Sequence, residues 1–331
     1  MPPGLVQNNG ESWIDLDGGY GLQPALLRMS NLKRSAVNLP VEILGQIFTT
    51  ACYGKSKEEI DYWGQPRGHR RVRSAIGGTC SYWRDVSLQV AQLWSVIYIK
   101  HSNAQDFPNR PLLDIELERS GSFLLDLHVN ASDLDASSGF PQLIMDLGHK
   151  CRSMNLVLIF TGSGIGHRSA LDVITQLPAL EKLAWRYPNP TPFSPASIEG
   201  LPKISFPCLA EMEIEGPPPA IFLQHLAFPS LQVLHLRMYQ PRAPHGFPSP
   251  QSVQCLTSLQ SISLFDFHTS LETNPASMDA FLDAVCTLPR LEDIYSTDTI
   301  GSEWVFRLKN APALKRVWMR PEGDAEGVPD F

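Results

Sequence analysis

One short pattern, apolar–Pro–x–Leu–x–x–apolar, recurs through the second half of this 331-residue chain and constrains its fold more than any other feature. Its copies are Leu177-Pro178-Ala179-Leu180-Glu181-Lys182-Leu183, Phe206-Pro207-Cys208-Leu209-Ala210-Glu211-Met212 and Phe228-Pro229-Ser230-Leu231-Gln232-Val233-Leu234, then Leu256-Thr257-Ser258-Leu259-Gln260-Ser261-Ile262, Leu288-Pro289-Arg290-Leu291-Glu292-Asp293-Ile294 and Ala311-Pro312-Ala313-Leu314-Lys315-Arg316-Val317. The anchor leucines 180, 209, 231, 259, 291 and 314 are separated by 29, 22, 28, 32 and 23 residues. A unit that short cannot bury an apolar face alone, so the units must stack on one another.

The pattern reads as a strand. Leu-x-x-Leu-x-Leu sends alternate side chains to one side of an extended chain, and the proline ends the preceding element without needing an amide donor. Upstream stretches such as Arg168–Gln176 and Met278–Cys286 have helical composition. Each unit is then a helix or turn plus one strand, and the spacing falls in the leucine-rich-repeat range with insertions. Weaker copies extend upstream: Val96–Ile99, Leu124–Val129 and Leu156–Phe160 read as strands, Leu112–Arg119 and Leu143–Lys150 as helices between them. The expected class is α/β (α+β), an irregular leucine-rich-repeat solenoid of about nine parallel strands over residues 96–320. Proline-rich loops at Pro188–Pro195 and Pro241–Pro250 belong on its surface, and 321–331 reads as a flexible tail.

Ahead of the repeats stand two pieces of different character. Leu39-Pro40-Val41-Glu42-Ile43-Leu44-Gly45-Gln46-Ile47-Phe48 reads as an amphipathic helix, with Asn38 as N-cap, Pro40 in the first turn and Glu42 near the positive end. Cys80-Ser81-Tyr82-Trp83-Arg84-Asp85-Val86 reads as a second short helix, and Leu93-Trp94 closes the unit. The two define a helical domain over 38–95. Residues 54–73 read as an inserted polar loop with a basic cluster of Arg67, His69, Arg70, Arg71 and Arg73. Residues 1–37 read as a partly disordered N-terminal extension. A unit this small buries little surface by itself, and its apolar residues exceed one face, which suggests docking.

These pieces resemble the F-box of the large fungal F-box-like family. Leu39-Pro40-x-Glu42-Ile43-Leu44-x-x-Ile47-Phe48 is similar to its first helix, and Cys80-x-x-Trp83-Arg84-x-Val86 with Leu93-Trp94 to its later helices. Arg119-Ser120-Gly121 with Leu125-Asp126-Leu127 is similar to the segment downstream of the F-box in that family. The resemblance implies a three-helix module that binds the Skp-type adaptor of a cullin-RING (SCF) ubiquitin ligase, while the repeats hold a protein substrate. Residue by residue, it implies adaptor contacts at Leu39, Pro40, Ile43, Leu44 and Ile47. For Trp83, Val86 and Trp94 it leaves open a role in the contact or in the module's own core. The chain departs from the family at Ser74-Ala75-Ile76-Gly77-Gly78-Thr79, where relatives carry an apolar second helix.

No pattern of catalytic residues emerges, and the expected protein is a non-enzymatic adaptor without a cofactor. Gly162-Ser163-Gly164-Ile165-Gly166 follows a strand, but its spacing is one residue short of the dinucleotide fingerprint, and no acidic residue ends the next strand. The nine histidines form no His-x-x-x-His pair, so no metal site is expected. Glu211, Glu213 and Glu215 alternate on one strand and share a face. With His235 and Trp185 they form the candidate substrate surface, and Phe265, Phe267, Tyr187, Met238, Tyr239 and Trp318 are further aromatic or apolar candidates at strand ends. A net charge of −7 argues against a general nucleic-acid binder. No stretch of about 18 apolar residues reads as a membrane span. Six scattered cysteines and no secretory leader suggest a reducing compartment, cytoplasmic or nuclear, with the thiols as small buried hydrophobes. The alternatives are a leucine-rich-repeat scaffold without ligase attachment and a nucleotide-binding enzyme at Gly162–Gly166.

Overall fold

The computed structural model describes residues 39–53, 67–101, 110–132, 140–159, 174–175, 177–186, 204–216, 223, 226–237, 248–265, 275–296, 308 and 311–319. Within it the repeated pattern is a β-turn that launches a strand. The amide of the anchor leucine donates to the carbonyl three residues back: Leu180 to Leu177 at 3.2 Å, Leu209 to Phe206 at 3.4 Å, Leu231 to Phe228 at 3.3 Å and Leu259 to Leu256 at 3.1 Å. Proline therefore sits second in a turn, where its fixed φ is pre-set and no amide is required. The next residue ties each turn to the one before it: Ala210 N donates to Glu181 O, Gln232 N to Ala210 O, Gln260 N to Gln232 O and Glu292 N to Gln260 O, each at 2.8 Å. Serines in the turn add a second tie, Ser230 Oγ to Pro207 O at 2.6 Å and Ser258 Oγ to Pro229 O at 2.8 Å. The aromatic rings before the proline, Phe206 and Phe228, stack with centroids 5.8 Å apart.

Among the described residues, nine strands form one sheet whose spatial order runs with the chain and whose pairings are all parallel. They are β1 (Val96–His101), β2 (Leu125–Ser132), β3 (Cys151–Ile159), β4 (Lys182–Arg186), β6 (Glu211–Glu215), β8 (Val233–Arg237), β9 (Ser261–Phe265), β10 (Asp293–Ser296) and β11 (Arg316–Met319). Two-residue strands β5 (Ile204–Ser205) and β7 (Leu226–Ala227) pair separately, also in parallel. The crossovers carry α4 (Arg110–Ser120), α5 (Phe140–Leu147), α6 (Pro250–Gln254) and α7 (Pro275–Cys286). The upstream strands and helices anticipated from the sequence are present, and β3 begins five residues earlier than expected. Arg168–Gln176 and both proline-rich loops fall wholly or largely outside the described residues.

The core lies on one side of this sheet. Alternate strand residues, from Ile97 and Leu127 to Leu264 and Ile294, meet Leu113, Ile144, Val253, Phe281 and Val285 from the helices in one continuous cluster. The anchor leucines 180, 209, 231, 259 and 291 lie inside it, and Leu314 packs half-buried at its end.

The N-terminal helices α1 (Val41–Tyr53), α2 (Arg67–Thr79) and α3 (Ser81–Gln89), with a 3-10 turn at Ala91–Trp94, enclose a second cluster of Leu44, Phe48, Cys52, Ile76, Val86, Leu93 and Trp94. Leu44, Phe48 and Cys52 recur every fourth residue on α1, one helical stripe. Pro40 precedes the helix, and its carbonyl accepts the first helical bond from Leu44 N at 3.0 Å, so it takes the N-cap place assigned to Asn38, which lies outside the described residues. Gly45 brings α1 close to Val90, whose Cγ2 would lie 3.2 Å from an added Cβ.

The polar insertion 54–73 requires correction. Its last seven residues are the first half of α2, and the basic cluster rides on a helix whose His69 is buried. α2 also runs through Gly77-Gly78. Val72 and Ile76 face the module's core, Thr79 Oγ1 donates to Ala75 O at 2.8 Å, and Arg84 Nε donates to Gly77 O at 3.0 Å. Burial and terminal hydrogen bonds outweigh the low propensity of two glycines. An added Cβ at either glycine meets nothing within 4 Å. Gly77→Ala and Gly78→Ala will therefore each raise stability by about 0.5–1 kcal/mol in urea unfolding. An unchanged midpoint would mean that the helix ends before them.

Candidate partner-binding surfaces

The stripe that holds α1 to its own core leaves a second stripe facing out. Ile43 is 42% and Ile47 46% exposed, with Pro40 and Val41 exposed beside them. Residues 40, 43 and 47 fall on one side of a helix. The residues expected at an adaptor contact thus divide. Pro40, Ile43 and Ile47 face out. Leu39 and Trp83 are half-buried at the margin: Leu39 O accepts from the Tyr82 hydroxyl at 2.9 Å, and the Trp83 ring lies 5.1 Å from Phe48. Leu44, Val86 and Trp94 are inside, so Leu44 is corrected as an exposed contact and two of the three open cases, Val86 and Trp94, lie in the module's core. The reason is periodic: Leu44 lies on the Phe48–Cys52 stripe, and Trp94 Nε1 donates to Ser87 O at 3.0 Å.

The sheet offers the second surface, the face turned away from the core. Parallel register carries one row from Tyr98 through His128 and Asn155 to Glu213, His235, Ser263, Tyr295 and Trp318. Glu211, Glu213 and Glu215 share this face with His235, as alternation predicts. Their basic partners come from the chain itself. Lys182 pairs with Glu211. Arg186 Nη2 donates to both oxygens of Glu213 at 3.0 and 3.1 Å. The Glu215 carboxylate lies 3.6 Å from Arg186 Nε and 3.7 Å from Arg237 Nη1. These acids sit in a cross-strand ion ladder rather than in an unpaired acidic patch. Aromatic groups continue the face, with His235 6.4 Å from Phe265, Phe265 5.5 Å from Tyr295, and the Arg237 guanidinium 4.9 Å above Phe265.

Trp185 requires correction as a surface candidate: it is buried in the main core beside Leu183. It fills the third apolar place of Leu180-x-x-Leu183-x-Trp185, a signal already present in the repeat. Trp318 is exposed on β11, whereas Tyr187, Met238, Tyr239, Phe267 and the glycine run 162–166 lie outside the described residues. All six cysteines are free. Cys52 and Cys151 are buried, their thiols pushed up to about 11 and about 12 by burial. Cys208 and Cys255 are exposed, contrary to the expectation of buried thiols.

A polar junction that sequence inspection misses joins the helical module to the sheet. Arg73 on α2 forms an ion pair with Glu116 on α4, both side chains being nearly buried. Arg73 and Arg119 each place a guanidinium 4.5 Å from the Trp94 ring. The Tyr53 hydroxyl donates to Gln92 O at 2.7 Å. Chain connectivity is equally tight, since the turn ending at Trp94 is one residue from β1.

Two histidines near this junction are held neutral. His69 lies edge-on to Tyr53, and His128 stacks on Tyr98 with centroids 5.0 Å apart. Burial, then nearby arginines (Arg73 for His69, Arg186 for His128), lowers each to about 4. Between pH 6.5 and 4 the unfolded chain binds protons that the folded chain refuses, so stability is complete above pH 6.5 and falls as the pH drops. The two together will remove roughly 3 kcal/mol between about pH 6.5 and about pH 5 in urea unfolding. His69→Gln will halve that slope, and a flat profile over this window would show both rings to be solvated.

No family model matches the chain, and no curated protein matches it by sequence. Among the described residues, no group of three or more His, Cys, Asp or Glu could hold a metal ion, and no helix is long and apolar enough to cross a membrane.

Proposed function

We infer that this chain is the substrate-recognition adaptor of an SCF-type cullin-RING ubiquitin ligase, an F-box module followed by a leucine-rich-repeat solenoid. The single observation that carries the reading is the outward stripe of Pro40, Ile43 and Ile47 on a helix whose opposite stripe closes the module's core. Here the motif positions for which the resemblance implies adaptor contact include the exposed ones. Supporting the repeat half is a parallel sheet in chain order, with the anchor leucines 180, 209, 231, 259 and 291 buried on one side.

The mechanism is tethering. The α1 stripe docks on the Skp-type adaptor, and the sheet face turned away from the core holds a protein substrate. The bound substrate then meets the activated ubiquitin at high effective concentration. The ion ladder shapes the choice of substrate: its acids are already paired, so half-buried Phe265 and exposed Trp318 are the better contacts for a partner side chain.

Co-expression of the full chain with a Skp-type adaptor tests the reading. A stoichiometric complex that survives gel filtration is expected, and its absence with a folded chain would leave the scaffold without ligase attachment.

A further inference from the structure

The helix α2 carries Arg67, Arg70, Arg71 and Arg73 and no acidic residue. Side chains three and four apart on a helix are neighbours, so like charges at that spacing repel. Arg73 is neutralised by Glu116 on α4. Arg70 and Arg71 are exposed, and among the described residues neither has a carboxylate partner.

Ser74 lies where both can reach it. It is exposed, four residues after Arg70 and three after Arg71. Its hydroxyl makes no hydrogen bond among the described residues, whereas Thr79 further along the helix donates to Ala75 O at 2.8 Å. Gly77 and Gly78 follow Ser74 at the same two spacings and place no side chain beside it, and an added Cβ at either meets nothing within 4 Å. From α3, Arg84 Nε donates to Gly77 O at 3.0 Å and brings a further guanidinium to that turn. The surface around this hydroxyl is open and cationic, and a dianion there would relieve the repulsion along α2.

The same arginines precede Ser74 in the chain. A kinase with an acidic substrate cleft selects its serine by the pattern of cations ahead of it. Modification requires α2 to open locally, and its C-terminal half opens at the lower cost, because each glycine weakens a helix interior by about 1 kcal/mol against alanine.

We propose that Ser74 is a phosphorylation site for a protein kinase that reads basic residues ahead of serine, and that the phosphate braces α2 by pairing with Arg70 and Arg71. The serine oxygen takes the γ-phosphoryl group of ATP, its proton passes to the kinase's base, and ADP leaves. The product carries about −1.5 to −2 charges and accepts charge-assisted hydrogen bonds from both guanidiniums. The site lies on a different helix from the Pro40–Ile43–Ile47 stripe and stands whether or not α1 takes an adaptor.

The full chain, incubated with ATP and a kinase selective for arginine three residues ahead of serine and mapped by peptide mass spectrometry, tests the site. Phosphate at Ser74 is expected, and Ser74→Ala will remove it. Arg70→Ala with Arg71→Ala will slow its transfer at least about tenfold at an unchanged melting temperature. In the phosphorylated chain the α2 amides will exchange with deuterium about two- to tenfold more slowly. The proposal is overturned if Ser74 of the folded chain stays unmodified, if the arginine variant reacts at the wild-type rate, or if phosphorylation speeds exchange in α2.

Discussion

Trp94→Ala will lower the unfolding free energy of the whole chain by about 3–5 kcal/mol, not that of the helical module alone. The indole is buried, donates to Ser87 O, and has the Arg73 and Arg119 guanidiniums 4.5 Å from its ring. Arg119 belongs to the first crossover helix of the sheet and Arg73 to the module, so the truncation opens a cavity at the place where the two share a wall. Glu116→Ala will act on the same node by a different route, leaving the Arg73 charge buried without its partner, at a cost of about 3–5 kcal/mol. Replacing both members, Arg73→Met with Glu116→Leu, will recover most of that loss. Urea unfolding monitored by tryptophan fluorescence and by far-UV circular dichroism checks the coupling. Coincident transitions that move together in each variant are expected. A separate early transition confined to the module in the wild type would show that the junction does not transmit stability.

The second large effect concerns binding and leaves folding untouched. Ile43→Asp with Ile47→Asp places two charges on the exposed stripe of α1, at positions with no part in the module's core. Under the proposed function, each carboxylate would have to be desolvated against an apolar partner surface. Affinity for the Skp-type adaptor will fall by at least about a hundredfold, while the melting temperature stays within about 2 °C of wild type. Leu44→Asp is the contrasting substitution: it buries a charge beside Phe48 and will unfold the module. An Ile43/Ile47 variant that binds as the wild type does would remove α1 from the contact.

Much of the architecture is legible because its signals are local. The spacing of the anchor leucines and the alternation beyond them depend on a few adjacent residues, so strand positions and the facing of Glu211, Glu213 and Glu215 can be read directly. The same rule places Trp185 in the core, but its aromatic character and its position near the strand's end suggest a surface anchor instead. The first half of α2 reads as loop for a related reason. Arg67–Arg73 lacks an apolar stripe of its own except for Val72, and its helix is stabilised by contacts on α1, α3 and α4 that no local window contains.

By itself, then, the sequence determined the repeating turn and strand and the alternation along each strand, consequences of side-chain period along one element; it grouped Leu44 with the exposed Ile43 and Ile47 and left Trp185 on the wrong face. The tertiary structure alone decided which charges meet across strands, that Arg73 and Glu116, 43 residues apart, share a buried ion pair, and that Tyr53 and Phe123 line one cleft. Those pairings depend on strand register and on the docking of the helical module. Each is set by the sum of many packed contacts, and no pair of residues announces its partner along the chain.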